Sequence, residues 1–325
     1  MQVSGQELQR AVDFIKAHDD FLIVSHVQPD GDAVSSTLVV GWLLSCLGKK
    51  YVMVNEGSIP RRMSYMWHAE DIMNLSEQSL SRTYKHVISV DCADFKRMGN
   101  VKEYFAPDMM LLNIDHHPTN DGFGAVNLIV PTAAATAEIL FDVLELAGIQ
   151  MDQDVATALY TGLMTDTGGF RYSNTSPKVM ATASRLLEYG VDGPWLAEHL
   201  LEQMTFPQLR ILTKALNKLE LSEDGKVSWV SLTDWDMQEA GAIHEDLEGI
   251  VNYARNITGV EVGMLFKVIN EQAVKVSLRS AGKVDVAAVA QSFGGGGHVR
   301  AAGARIDLPL DAAVQAVVER VNQDL

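Results

Sequence analysis

Two kinds of metal-binding side chain crowd into one short turn, SHVQPDGDAVSS (25–36), directly after the apolar run FLIV (21–24). The turn carries an imidazole, His26, and two carboxylates, Asp30 and Asp32. A short apolar run before a turn is typical of a buried strand. Since parallel α/β sheets bind ligands beyond the carboxyl ends of their strands, this turn is a candidate ligand site.

Further segments end in the same residue types. The run HVISVD ends in Asp91, and MMLLNIDHH ends in Asp115, His116 and His117. A further acid, Asp166, lies in GLMTDTGGF after a helical pattern. If the strands are parallel neighbours, we expect these side chains to meet at one edge of the sheet.

A cluster of this composition indicates divalent metal ions. Crowded carboxylates repel one another and resist ionisation unless a positive charge lies between them. Divalent cations with mixed imidazole and carboxylate ligands are natural partners for such a cluster. Two ions about 4 Å apart can hold a nucleophilic water and a scissile phosphate together, so the pattern predicts phosphoryl chemistry.

Each residue taken alone also has an ordinary structural explanation. Asp32 could cap the helix that follows it, and His26 could be a structural histidine. Their joint occurrence at successive strand ends favours the metal site. We interpret Asp94 as a solvated loop acid, His86 as structural because it starts its strand, and Cys92 as a packing residue without thiol chemistry.

The elements that would position this cluster predict an α/β fold. Apolar strands alternate with amphipathic helices in the first half, which favours a mostly parallel sheet flanked by helices. The pattern then changes to a continuous helix near 191–221, followed by strands, a helix, a glycine run and a final helix. We predict a metal-binding domain over 1–190, a helical connector over 191–221, and a smaller α/β domain over 222–325.

Composition limits the class of protein. The 325 residues carry a formal charge of −16 and no basic cluster beyond pairs such as Lys49-Lys50, which argues against binding of long duplex nucleic acid. The only cysteines, Cys46 and Cys92, form no disulfide framework. Apolar stretches fall short of the ~20 residues needed to span a bilayer, and the N-terminus lacks signal-peptide features. We expect a cytoplasmic protein that does not bind membranes.

The motifs HVQPDGDAVSS, SVDCAD, DHHPTN and TDTGGF together resemble the DHH phosphoesterase superfamily. The segment GGGGHVRAAGARI resembles its associated domain, DHHA1. The resemblance covers nearly the whole chain. Within the superfamily, the short two-domain form is similar to the bacterial nanoRNase and adenosine-bisphosphate (pAp) phosphatase group, also called bifunctional oligoribonucleases.

The resemblance implies two divalent ions, usually manganese and sometimes magnesium or cobalt. The first ion is expected on His26, Asp30 and Asp91. The second is expected on Asp32, Asp91, His116 and Asp166. Asp91 would therefore bridge the two ions.

The resemblance also assigns roles to groups around the ions. Asp115 is expected to orient a ligand. His117 is expected to contact the scissile phosphate or to assist the leaving group. Arg171, in TGGFRYSNT, fits the pattern of an arginine near the active site, with a surface arginine as its alternative. The implied reaction is in-line attack of water on phosphorus, without a covalent enzyme intermediate.

The second domain contains a candidate anion clamp. Four consecutive glycines, 294–297, are costly in conformational entropy unless the backbone must approach something closely. Free backbone N–H groups can cradle an anion, and an arginine can bind phosphate through two hydrogen bonds. The candidate substrate-binding residues are Arg279, Gly295, Gly296, Gly297, His298 and Arg300. We expect them to hold the far end of a short nucleotide, so that substrate length is limited.

Several alternatives stay open. The first is a single-strand DNA or RNA exonuclease of the same superfamily, and another is a non-catalytic nucleotide-binding regulatory protein. The GGGGH segment disfavours an inorganic pyrophosphatase, and the lack of sensory modules disfavours a cyclic-dinucleotide phosphodiesterase. The sequence does not rank nanoRNA, short DNA, pGpG and pAp as substrates. It also does not give the direction of attack, the physiological metal or the oligomeric state, and a homodimer is compatible with the family.

Overall fold

A computed structural model describes residues 5–325, and the chain divides into two compact units, Met1–Gln203 and Met204–Leu325. The domain limits proposed from the sequence, at 190 and 221, remain a prediction. None of the helices within residues 5–325 is long and apolar enough to cross a membrane.

The first unit is built on a six-stranded sheet in which every neighbouring pair is parallel. Its strands are β1 (Phe21–Val24), β2 (Tyr51–Asn55), β3 (Met73–Asn74), β4 (Tyr84–Val90), β5 (Phe105–Asp115) and β6 (Val126–Ile129). Their order across the sheet is β3-β2-β1-β4-β5-β6. The chain therefore winds in opposite directions from β1 and β4, and the crevice between such strands is where open α/β sheets bind ligands. The predicted mostly parallel sheet is confirmed.

The two faces of this sheet are covered differently. Alternate residues of β1 point to opposite faces, so Phe21 and Ile23 pack with the helices while Leu22 and Val24 pack against the segment Phe95–Tyr104. The α-helices of the unit are α1 (Gly5–Ala17), α2 (Gly31–Cys46), α3 (Thr136–Ala147), α4 (Gln153–Asp166), α5 (Pro177–Glu188) and α6 (Gly193–Ala197). Helix α2 is buried from Gly31 to Leu44, which explains why its sequence has no charged, solvent-facing stripe in that range.

The continuous helix expected over 191–221 is wrong. A wide helical turn, Glu198–Glu202, follows α6, and a new helix, α7, runs from Phe206 to Asn217. The Thr205 hydroxyl caps α7 by accepting the Gln208 N–H at 3.0 Å. Pro207 lies in the first turn, where its missing N–H costs nothing. Local capping chemistry therefore starts a new helix at this point.

The second unit has a mixed sheet. Its strands are β7 (Glu220–Leu221), β8 (Val227–Leu232), β9 (Val262–Asn270), β10 (Ala273–Ser280), β11 (Gly296–His298) and β12 (Ala301–Ile306). Their order is β11-β12-β10-β9-β8-β7, and only β8 and β9 pair in parallel. The remaining helices are α8 (Asp234–Ala240), α9 (Ile250–Arg255), α10 (Val286–Ser292) and α11 (Leu310–Asn322). One apolar core contains α10 and α11, and another contains α7 to α9, so the predicted second α/β domain is confirmed.

Candidate active site

The carboxyl ends of β1, β4 and β5 bring the predicted site residues together. His26 follows β1, Asp91 follows β4, and Asp115 ends β5 immediately before His116. Asp91 has a left-handed backbone, φ 54°, and its N–H donates to the carbonyl of Ile114 at 3.0 Å. This conformation is uncommon for a non-glycine residue and is maintained here by the adjacent strand.

The two carboxylate oxygens of Asp91 face two different imidazoles. Oδ2 lies 3.6 Å from Nε2 of His26, and Oδ1 lies 3.5 Å from Nε2 of His116. Each imidazole has a second carboxylate beside it, because His26 Nε2 is 3.6 Å from Asp30 and His116 Nε2 is 3.2 Å from Asp166. Asp91 thus lies between two sets of donors, as a bridging ligand must.

Within the first unit, three groups of side chains could each hold an ion, with one ligand atom per residue and all atoms of a group within 4.8 Å of one another. They are His26–Asp30–Asp91, Asp32–Asp91–His116 and Asp91–Asp115–His117. The first group contains the residues predicted for the first ion. The second group contains three of the four residues predicted for the second ion. The fourth, Asp166, lies beside His116.

Backbone carbonyls orient both candidate imidazole ligands. Nδ1 of His26 is 2.9 Å from the carbonyl of Val27, and Nδ1 of His116 is 3.4 Å from that of Ala133. When Nδ1 donates to a carbonyl, Nε2 keeps its lone pair, which is the form that binds a metal. In both residues that Nε2 faces the carboxylates.

The charge balance of the cluster also fits divalent cations. Burial and then the neighbouring Asp91 raise the pKa of Asp32 well above its usual value, and burial and Asp32 do the same for the pKa of Asp166. Burial alone would lower the pKa of His26, but Asp30 and Asp91 outweigh it and raise this pKa to about 10. Without a metal ion, the negative charge of the cluster is therefore balanced only by protons bound to its side chains. Buried carboxylates can avoid that state by coordinating metals, and this set of oxygen and nitrogen donors suits divalent ions.

Helices α2 and α4 deliver the remaining carboxylates. Asp30 is the N-cap of α2, since its Oδ1 accepts the N–H groups of the two residues at 32 and 33, both at 3.1 Å. The alternative that Asp32 caps this helix is therefore wrong. Asp166 ends α4, and a Cβ atom on Gly162 of that helix would lie 2.7 Å from Oδ1 of Asp32. Glycine at 162 lets α4 approach Asp32 closely.

His117 is held by a chain of hydrogen bonds that begins in the same motif. Its Nδ1 is 2.7 Å from Oδ1 of Asp115, which has no exposed surface. Nδ2 of Asn120 donates to the other oxygen of Asp115 at 2.6 Å. Asp115 thus orients His117. Asn120 is not among the site residues predicted from the sequence, although it is the last residue of DHHPTN.

Asn174 makes hydrogen bonds within the site that were not predicted from the sequence. Asn174 donates to the carbonyls of Ala134 and Asp166 at 3.2 and 3.1 Å, which ties two loops of the site together. No sequence signal marks it.

Arg171 is exposed in the turn after α4, where its Nε donates to the carbonyl of Gly168 at 2.5 Å. Its contact with substrate stays a prediction.

In the second unit, three candidate clamp residues gather at one end of the sheet. Arg279 of β10 pairs with Ala301 of β12, which pairs with His298 of β11. Directly opposed residues share a face, so Arg279 and His298 flank the small Ala301. Arg300 packs its guanidinium against Gly282, where a Cβ atom would lie 2.5 Å from Nη2.

The glycine run has a packing explanation. It follows α10 and continues into β11, where Gly296 pairs with Gly303. Cβ atoms on Gly295 and Gly297 would lie 2.2 Å and 2.5 Å from carbonyl oxygens of β12. The close backbone approach expected from the sequence is therefore made to the neighbouring strand. Anion binding by these glycines stays a prediction.

Glu261 fixes the turn beside Arg279 and Arg300. Its Oε1 accepts hydrogen bonds from the Ser280 hydroxyl at 3.0 Å and from three backbone N–H groups, at residues 282 (3.0 Å), 283 (2.6 Å) and 284 (3.2 Å). Burial raises the pKa of this carboxyl, but the backbone hydrogen bonds outweigh burial and lower it. The charged form is therefore the one that the fold stabilises.

We expect Glu261→Gln to lower the free energy of unfolding by about 2 kcal/mol at neutral pH, since charge-assisted hydrogen bonds are lost. Because the folded-state pKa is lowered, this contribution is present above the unfolded pKa of about 4.3 and is lost as pH falls below it. Urea unfolding at several pH values measures the difference. The exposed Glu271→Gln is the control. A difference between wild type and Glu261→Gln that is constant with pH would contradict the assignment.

Comparison with known proteins gives family matches and full-length relatives. Residues 20–163 match the model described as DHH family, N-terminal domain, and residues 226–325 match the DHHA1 domain. A Thermus thermophilus protein named bifunctional oligoribonuclease and PAP phosphatase is 34% identical over 305 residues, covering 93% of this chain and 89% of that protein. A Streptococcus mutans protein named as a probable enzyme of the same kind is 27% identical over 291 residues, covering 89% and 90%. The crystal structure of an exopolyphosphatase-related protein from Bacteroides fragilis is similar with a TM-score of 0.91 at 25% identity, covering 99% of this chain and 97% of that one.

Proposed function

We propose, because the chain belongs to the DHH family and carries a DHHA1 domain, that it is a divalent-metal-dependent phosphoesterase of short nucleic acids. Its substrates would be nanoRNA and dinucleotides such as pGpG, cleaved to mononucleotides, and pAp, which would lose its 3′-phosphate. The observation that carries the proposal is the position of Asp91, whose two oxygens face two separate sets of imidazole and carboxylate donors. The names of the two full-length relatives support the choice of substrates.

The proposed metal ligands form two sets that share Asp91. One set is His26, Asp30 and Asp91. The other is Asp32, Asp91, His116 and Asp166. Manganese is the proposed ion, with magnesium or cobalt as alternatives, and such ions activate water and neutralise charge on a phosphate.

The chain's own residues would orient the substrate and bind its negatively charged phosphates. His117, oriented by Asp115, would donate a hydrogen bond to the phosphate or a proton to the leaving oxygen. Arg171 would contact the nucleotide in the first unit. Arg279, His298 and Arg300, with the glycine run, would hold the terminal phosphate, for which a guanidinium offers paired donors. We place the enzyme in the cytoplasm, acting without long duplex or membrane partners and with a homodimer as its assembly.

We expect a labelled RNA dinucleotide and pAp to be hydrolysed with a kcat/KM at least about tenfold above that of a 24-mer, a difference of about 1.4 kcal/mol. The assay compares the three substrates with Mn²⁺ and after chelation, which should abolish turnover. Preference for the 24-mer would instead indicate a single-strand exonuclease. No turnover of any substrate would favour a nucleotide-binding regulatory protein.

A further inference from the structure

The carboxylate of Asp32 binds the N-terminus of a helix far away in the sequence. Its Oδ2 accepts the N–H of Thr136 at 2.6 Å, and its Oδ1 accepts that of Ala137 at 3.0 Å. The hydroxyl of Thr136 donates to Oδ1 of Asp91 at 3.0 Å. Asp32 and Thr136 have no exposed surface, and Asp91 is 2% exposed. One residue at the start of α3 therefore contacts two proposed metal ligands, from α2 and from the end of β4.

This arrangement supplies a cap that α3 lacks locally. The N-cap residue of α3 is Ala135, whose side chain has no acceptor, although the first N–H groups of a helix need partners. Asp32 takes that position from a neighbouring helix, and its negative charge is favourable at a helix N-terminus. Oδ1 of Asp32 also accepts the hydroxyl of Ser36 at 3.3 Å. The second lone pair of Oδ2 therefore remains available to a cation.

Thr136 makes two kinds of contact. Its backbone N–H takes part in the capping of α3, whereas its hydroxyl contacts the metal site. Capping of α3 by Asp32 uses only backbone N–H groups, so alanine or valine at 136 would preserve it. The hydroxyl instead bonds Asp91, the residue shared by both proposed ligand sets. Thr136 also lies outside the four motifs that carry the family resemblance.

We propose that Thr136 is a positioning residue of the metal centre, which holds Asp32 and Asp91 at a fixed separation so that both are ready to bind one divalent cation. This proposal rests on the proposed function of the cluster as a metal site. Groups that orient metal ligands typically change metal affinity about 10- to 100-fold when they are removed. The expected effect is therefore on ion binding, whereas substrate contacts should be unchanged.

The test compares Thr136→Val, which removes the hydroxyl at nearly constant volume, with Thr136→Ser, which retains it. Mn²⁺ is titrated into chelator-treated full-length protein by calorimetry. We expect valine to weaken Mn²⁺ binding about 10- to 100-fold and serine to restore it to within a few-fold of wild type. With saturating Mn²⁺, KM for an RNA dinucleotide should be unchanged. Thr37→Val is the matched control, because the buried Thr37 hydroxyl donates at 2.8 Å to the carbonyl of Ala33 in its own helix.

The outcomes separate this inference from the proposed function. Equal Mn²⁺ affinities of wild type and Thr136→Val would overturn the positioning role and leave the metal site intact. A loss of affinity in Thr136→Ser equal to that in Thr136→Val would also overturn it, since serine keeps the hydroxyl. Wild-type protein that binds no Mn²⁺ would overturn both proposals. Thermal unfolding of each metal-free variant shows that the folded protein is being compared.

Discussion

Replacing Asp91 with asparagine is expected to lower kcat/KM for an RNA dinucleotide at least about 10³-fold, because several kcal/mol of charge stabilisation is lost. Both oxygens of Asp91 face donor groups of the proposed ligand sets, through His26 and His116. Asparagine offers one oxygen and an NH₂ group that cannot bind a cation. It tolerates the left-handed backbone of this position, and it can still accept the Thr136 hydroxyl, so the fold should persist.

Two measurements make the Asp91 result specific. Mn²⁺ should raise the melting temperature of wild type and leave that of Asp91→Asn nearly unchanged, because only a bound ligand stabilises the fold by linkage. Asp94→Asn is the control, since Asp94 caps the following turn through the N–H groups of Lys96 and Arg97 at 2.8 and 3.2 Å. Its activity should stay within about twofold of wild type. Retention of more than about a tenth of the activity by Asp91→Asn would contradict the bridging role.

The part of the site that lies on strand ends could be predicted from sequence. His26, Asp91 and His116 each follow an apolar run, and parallel strands bring their carboxyl ends to one edge whatever their exact order. The structure adds the order, with β1 and β4 adjacent, which makes Asp91 central. Periodicity alone does not give strand order, and it also missed the short strands β3 and β6.

Contacts between elements that lie far apart in the chain could not be predicted from the sequence. Asp32 binds the start of α3, and because Ala135 is a poor cap, the local sequence does not show which residue caps that start. The break before α7 is different, because TFPQ does contain a capping box and an early proline, but helical periodicity outweighed them. The glycine run showed that a close backbone approach was needed. It did not show that the neighbour is β12.

Removal of the His117 side chain is expected to cause the second large loss of activity. We expect His117→Ala to lower kcat for an RNA dinucleotide by about 10²- to 10⁴-fold, the range for loss of a positioned acid–base group. Asp115 contacts Nδ1 of His117 at 2.7 Å and should act mainly through it. Asp115→Asn should therefore reduce kcat in the wild-type background and add little in the His117→Ala background, because coupled residues are not additive.

The leaving group distinguishes the two possible roles of His117. p-Nitrophenolate departs without a proton, whereas the alkoxide of a nucleoside needs one. If His117 donates that proton, His117→Ala should slow a p-nitrophenyl ester of a nucleotide far less than the dinucleotide. Equal losses on both substrates would instead assign His117 to the phosphate. Because Asp91, Asp115 and His117 also lie close enough to hold an ion, the variant must be titrated with Mn²⁺ as well. A large loss of affinity would make His117 a metal ligand, and unchanged affinity with slow turnover would place its role in the chemical step.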